Sequence, residues 1–229
     1  MAHAIKFHPS TALLEQFAEG CLTADVSLAL AAHIDLCPHC QQLSQDITND
    51  LAGQFVEQRV TADVTDWDAM LNSVLAKTEQ ASMKPTASEV TSSNALQSIM
   101  VSQREFKLPR ALQRLSASHG KWLHLGGIAT ATLPTSSDHH VSLLYISKGT
   151  EVPLHTHLGL EMTLVLSGKI VDENGEYHAG DLLINSPDDT HTPRTLPDED
   201  CLCLSVLSAP LQFKKGLTRL LNPLQQFFF

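Results

Sequence analysis

The sequence predicts an α+β protein of two domains, a small all-α module followed by an all-β barrel. Three observations predict it. Apolar residues recur at helical spacing from about residue 10 to residue 80. From about Lys107 the pattern changes to short strands separated by turns. The stretch between them, SMKPTASEVTSSNA, is rich in Ser and Thr and poor in apolar residues, as a linker is. The domains are therefore set at 1–80 for the helices, 81–104 for the linker and 105–229 for the barrel. A linker of this composition lets the two modules move independently.

In the helical half, Leu13, Leu14 and Phe17 form a short stripe that ends near Gly20. Thr23 caps a second helix that runs through Leu28, Leu30 and Ala31 to about Leu36. Pro38 suits the first turn of a third helix, with Leu43, Ile47, Leu51 and Phe55 on one face. Thr65-Asp66-Trp67-Asp68 reads as the start of a fourth. Its apolar residues, Trp67, Met70, Leu71, Val74 and Leu75, are either core or a face held against a partner.

Within this half His33, Cys37 and Cys40 form H-x3-C-x2-C. Positions i and i+4 share a helix face, so His33 and Cys37 reach one ion, and Cys40 joins them from the next helix start. Structural zinc takes four Cys or His ligands in a tetrahedron. The fourth is to be found among His8, Cys21 and His39.

In the β half, Trp122, Leu123 and Leu125 precede Gly126-Gly127 and the run Ile128 to Leu133, and Val141 to Ser147 is another strand. Asp172-Glu173-Asn174-Gly175-Glu176 is a hairpin turn on its Asn-Gly. A late strand runs from Cys201 to Val206, with Cys201 and Cys203 read as small apolar side chains of the barrel wall. The end of the chain, FKKGLTRLLNPLQQFFF, is basic and then apolar, suited to packing on the barrel or to a contact.

The stretch Gly149 to Gly168 carries the second ligand cluster. His155 and His157 lie on one strand face, and a short break returns Glu161 to the same side. His191 is a fourth candidate. Two imidazoles and a carboxylate on one face make a first-row metal site. The spacing Gly, five, His, one, His, three, Glu, six, Gly resembles the first motif of the cupin superfamily at every position. Gly180 and His191 keep the glycine-to-histidine spacing of the second cupin motif. The rest of that motif departs locally, with proline displaced to Pro187, aspartate in place of glycine and Thr195 in place of asparagine. The resemblance implies a jelly-roll barrel holding zinc or another divalent metal at His155, His157, Glu161 and His191.

HPSTALLEQFAEG followed by H-x3-C-x2-C resembles the zinc-binding anti-sigma factors. Joined to a cupin domain, the chain resembles the ChrR family of anti-sigma factors over nearly its whole length. The resemblance makes His8 the fourth ligand of a zinc site at His8, His33, Cys37 and Cys40. It also implies a helical module that holds a group IV (extracytoplasmic-function) sigma factor away from RNA polymerase. Release is then expected under oxidative stress, from singlet oxygen or organic hydroperoxides.

Charge agrees with a protein partner. Residues 1–80 hold eleven acidic and three basic residues, so they carry −8 of the chain's net −10. Such a surface repels phosphate backbones and suits a basic protein. No basic recognition helix appears, which counts against a DNA-binding zinc protein. No run of eighteen apolar residues and no apolar signal segment occur, so a cytoplasmic location is expected. Five cysteines point to metal or redox use rather than a disulfide framework. A homodimer is left open. A metal-dependent cupin enzyme, dioxygenase or isomerase, with a helical accessory module is the alternative, since the cupin fold alone does not fix function.

Overall fold

The Ser10 hydroxyl accepts a hydrogen bond from the Leu13 amide and starts α1 (Thr11–Ala18). Thr23 stands at the N-cap of α2 (Ala24–Leu36), Pro38 opens α3 (Pro38–Glu57), and α4 covers Trp67–Gln80. A computed structural model describes residues 4–57, 67–80, 98–135, 139–214 and Asn222. The Thr65-Asp66 cap, most of the linker and nearly all of the basic-apolar tail lie outside the described residues. No helix among the described residues is long and apolar enough to cross a membrane.

The β half opens earlier than its composition suggests. Ser98–Val101 (β1) and Arg104–Lys107 (β2) pair as a hairpin within the stretch assigned to the linker. Its turn residues Ser102 and Gln103 both have positive φ, the backbone of a type I′ turn. A short helix, α5 (Arg110–Ser116), follows. The remaining strands are β3 (Leu123–Leu125), β4 (Ile128–Thr132), β5 (His140–Ile146), β6 (His155–His157), β7 (Glu161–Ser167), β8 (Lys169–Val171), β9 (Glu176–His178), β10 (Leu182–Asn185), β11 (Thr190–His191), β12 (Cys201–Leu207) and β13 (Leu211–Phe213). Six of them form an antiparallel sheet in the order β10-β7-β12-β5-β4-β3, and three form a second sheet, β11-β6-β13. The hairpin β8-β9 completes the barrel. Gly168, at φ +74°, turns β7 into β8 where a Cβ would run into the Asp200 carbonyl.

Strand alternation divides the core. Val165, Leu183, Cys201 and Cys203 pack on one face with Ile146, Ile170 and Tyr177. Met162, Leu164, Leu202, Leu204 and Val206 point the other way and pack with Val26, Ala29, Leu30 and Ala32 of α2. The expected separation of the two modules is not seen at α2, which packs directly on the sheet. The helix α2 is apolar on nearly all sides because it is sandwiched, one face on the sheet and the other toward α1 and α3. Polar contacts fix it further. Buried Asp25 pairs with His139, and Asp35 accepts from the Ala111 amide at 2.9 Å and from Arg110, so it caps α5 from outside.

Trp67, Met70, Leu71, Val74 and Leu75 are each at least 50% exposed. Of the two readings of this stripe, the core one is overturned. With α1 to α3 already closed around Leu14, Cys37 and Cys40, no described surface covers it.

Candidate metal centres

Four residues from three places in the chain converge at the N-terminal cluster. His8 precedes α1, His33 lies in the last turn of α2, Cys37 is the C-cap of α2, and Cys40 is in the first turn of α3. Each offers one donor atom, and the four lie within 4.8 Å of one another. His8 Nδ1 is 3.4 Å from both sulfurs. Cys37 stays beside His33 because its amide still donates to the His33 carbonyl at 2.8 Å, and the Cys40 amide then donates to the Cys37 sulfur. Cys21 is exposed beside Glu19 and lies outside the group. His39 stacks against His8 at 5.2 Å and is also outside it.

The hydrogen-bond pattern defines what this cluster could hold. His33 Nδ1 lies 2.8 Å from the Gly180 carbonyl, which can only accept, so Nδ1 carries the proton. That leaves Nε2 as a lone pair, buried and without a hydrogen-bond partner among the described residues. Burial holds the His33 pKa down at about 4, so the imidazole is neutral. Burial, reinforced by Cys37, pushes the Cys40 thiol up to about 12. A buried lone pair facing two thiols and an imidazole fits a four-coordinate ion that takes sulfur and nitrogen.

The barrel cluster is built from sheet geometry. His155 sits opposite His191 in the β6–β11 pair, and the one-residue alternation puts His157 on the same face. Glu161 opens β7, where a carboxylate oxygen lies 3.0 Å from His157 Nε2 and 3.7 Å from His191 Nε2. His191 Nε2 is 3.1 Å from His155 Nε2 and 3.4 Å from His157 Nε2. A tetrahedral ion with 2.0–2.1 Å bonds needs its nitrogens about 3.3 Å apart. All three imidazoles are buried.

The tautomers again call for a cation. His155 Nδ1 donates to the Pro153 carbonyl at 2.8 Å, and His191 Nδ1 donates to Asp172 at 3.2 Å. Their Nε2 atoms face each other, and in the neutral rings both are lone pairs. Burial, helped by His191, holds the His155 pKa at about 4, so the His155 ring is neutral at neutral pH. Burial opposes ionisation of Glu161, but hydrogen bonding to His157 and Asn185 outweighs it and brings the carboxyl to about 2. An anion and convergent ring nitrogens make a candidate cation site, with outer contacts present for His155, His191 and Glu161, while His157 Nδ1 is buried without a hydrogen-bond partner among the described residues.

A family model described as the ChrR cupin-like domain matches residues 114–210. Anti-sigma-E factor ChrR of Cereibacter sphaeroides is 33% identical over 226 residues, spanning 96% of this chain and 97% of that one. The chain belongs to the ChrR family of anti-sigma factors. It is thus a regulator rather than an enzyme. The crystal structure of Rhodobacter sphaeroides SigE in complex with the anti-sigma ChrR matches with a TM-score of 0.67 at 30% identity, covering 89% of this chain and 99% of that chain.

Several residues that shape these ChrR-family centres were not singled out by spacing. Asp172, Asn185 and Pro153 hold barrel ligands, and Gly180, noted in the sequence only for its spacing to His191, also holds His33 through its carbonyl. Asn-Gly drew attention to the 172–176 turn as a turn only, and the same Asp172 that caps it also orients His191. Thr195 bonds the Ser147 carbonyl at 2.6 Å and accepts from the Thr150 amide, so it ties two loops behind the site. Cys201 and Cys203 are buried with their sulfurs 3.4 Å apart, in the apolar cluster of the barrel.

Proposed function

We propose that this protein is a zinc-dependent anti-sigma factor. In this reading its N-terminal half sequesters a group IV sigma factor in the cytoplasm and releases it under oxidative stress. The observation that carries the reading is the exposed stripe on α4, on the half that holds most of the negative charge. Five large apolar side chains left open to water mark a contact face. An acidic surround suits a sigma factor whose basic face otherwise meets DNA. Full-length likeness to a relative named as an anti-sigma-E factor supports the same partner class.

Zinc at His8, His33, Cys37 and Cys40 would supply folding energy that the small apolar cluster around Leu14 lacks. The chain's own residues set its geometry. His33 offers Nε2, the α2 to α3 junction spaces the sulfurs, and His8 closes the fourth side. His155, His157, Glu161 and His191 would hold zinc or another divalent ion in the barrel, as the sensing site. Thiolates at Cys37 and Cys40 are the other oxidisable feature.

The test is co-purification with a group IV sigma factor. Wild-type protein is expected to capture it, and Leu71→Asp to lose it while keeping both metals and the fold. Capture by Leu71→Asp at wild-type strength would sink the α4 contact.

A further inference from the structure

The N-terminal cluster is not finished by the helices. It leans on one turn of the barrel. Gly180 gives its carbonyl to His33, and Asp181 is a fully buried carboxylate that points at the segment carrying His8. Asp181 Oδ1 accepts from the Lys6 amide at 2.7 Å and the Phe7 amide at 3.0 Å. The Leu182 amide donates back to the Phe7 carbonyl at 3.0 Å, and the Phe7 ring stacks on Tyr177 at 4.7 Å. Gly180, at φ +98°, lies against Ile5 so closely that a Cβ would collide with it.

A local role accounts for only half of this carboxylate. Its other oxygen, Oδ2, accepts from the His178 amide at 2.8 Å and closes the turn between β9 and β10. The Oδ1 side faces residues 6 and 7, immediately before a ligand, and holds a segment with no regular structure of its own. The same strand ends at Asn185, whose amide donates to Glu161 at 2.7 Å. One four-residue strand, β10, thus starts at one cluster and ends at the other.

We infer that Asp181, with the Gly180 carbonyl, is a positioning residue for the N-terminal metal site, so that the barrel supplies that site's outer contacts. It acts through His8 and His33 and does not touch the ion. This rests on the metal reading of the cluster, and the test separates the two.

Cobalt(II) titrated into the metal-free full-length chain reports on this site selectively, because only it offers sulfur and so gives a thiolate-to-metal absorption band. Wild-type protein is expected to show the band. Asp181→Asn is expected to need about ten- to a hundredfold more free metal for half-saturation, the range usual for outer-contact residues. Lys6→Pro removes one amide donor without altering the barrel and is expected to move the titration the same way. Lys6→Ala keeps the amide and is expected to match wild type. Loss of the band in wild type would remove the metal site itself. A normal wild-type band with unchanged titrations in both Asp181→Asn and Lys6→Pro would overturn the positioning role. A barrel-stabilising role alone would lower the thermal midpoint of Asp181→Asn and leave Lys6→Pro at wild-type affinity.

Discussion

The two clusters of this chain solve one problem by opposite means. In the barrel, β6, β7 and β11 are held by ladder hydrogen bonds, and three imidazoles converge as a consequence of register, with the Glu161 carboxylate beside two of them. At the N-terminus, the ligands come from a loop, one helix end and the next helix start, and the only described core there is Leu14 with the two cysteines and a few half-buried neighbours. The sheet makes the barrel site, whereas the N-terminal site is assembled from short helices that lean on one barrel turn. In the proposed reading an ion would be a guest in the first and a structural part in the second.

That contrast is broken or sharpened most strongly by removing one ligand from each site. Structural zinc contributes on the order of 10 kcal/mol to small metal-dependent folds. Cys40→Ser is expected to unpack α1 and α3, read as lost helical circular dichroism. His157→Ala is expected to empty the barrel site and leave the β signal in place. Equal damage from both would erase the distinction.

Next in size is the core beside the sulfurs. Leu14 is fully buried between Cys37 and Cys40, and Leu14→Ala is expected to cost about 2–5 kcal/mol, measured by urea unfolding. In the barrel, Asp172→Asn leaves the chain folded but loosens His191. Metal affinity there is expected to fall about ten- to a hundredfold by chelator competition.

Acid separates the sites more gently. The Cys40 thiol, raised to about 12, holds its proton at neutral pH, so each metal bound must displace it. Affinity at that site therefore falls as pH falls, by about tenfold per unit for each proton displaced. His155, near 4, and Glu161, near 2, are already deprotonated at pH 7 and impose no such cost until the pH approaches 4. On lowering pH from 7 to 5, the N-terminal metal is expected to leave first, followed by the thiolate-to-cobalt band. Earlier loss from the barrel would contradict the proton competition.

The smallest expected effect is on α4. Trp67→Ala changes an exposed side chain and is expected to move stability by no more than about 0.5 kcal/mol, while weakening sigma-factor capture.

Ligand spacing was legible in the sequence because both clusters obey local periods. Helical i, i+4 joins His33 to Cys37, and strand alternation joins His155 to His157. The barrel strands were legible for the same reason, down to the Asn-Gly hairpin between β8 and β9. What could not be read were contacts between distant parts of the chain. Ser98 to Lys107 has the composition of a linker margin, yet it pairs as a hairpin whose Ile99, Val101 and Phe106 join the core. The run ADVSLALAAHIDL is apolar on nearly all sides, the mark of a helix buried on two faces, but no local pattern says that its second face meets Leu202 and Leu204. Asp181 likewise reads as an ordinary turn residue, and its hold on Lys6 and Phe7 spans most of the chain.

The most direct measurement is metal content with sigma-factor capture on three full-length proteins: wild type, Cys37→Ser/Cys40→Ser and His155→Ala/His157→Ala. The account predicts two metals and capture for wild type, one metal and no capture for the cysteine variant, and one metal with capture for the histidine variant. Capture by the cysteine variant, or a wild type that binds no metal at the thiols, would contradict it.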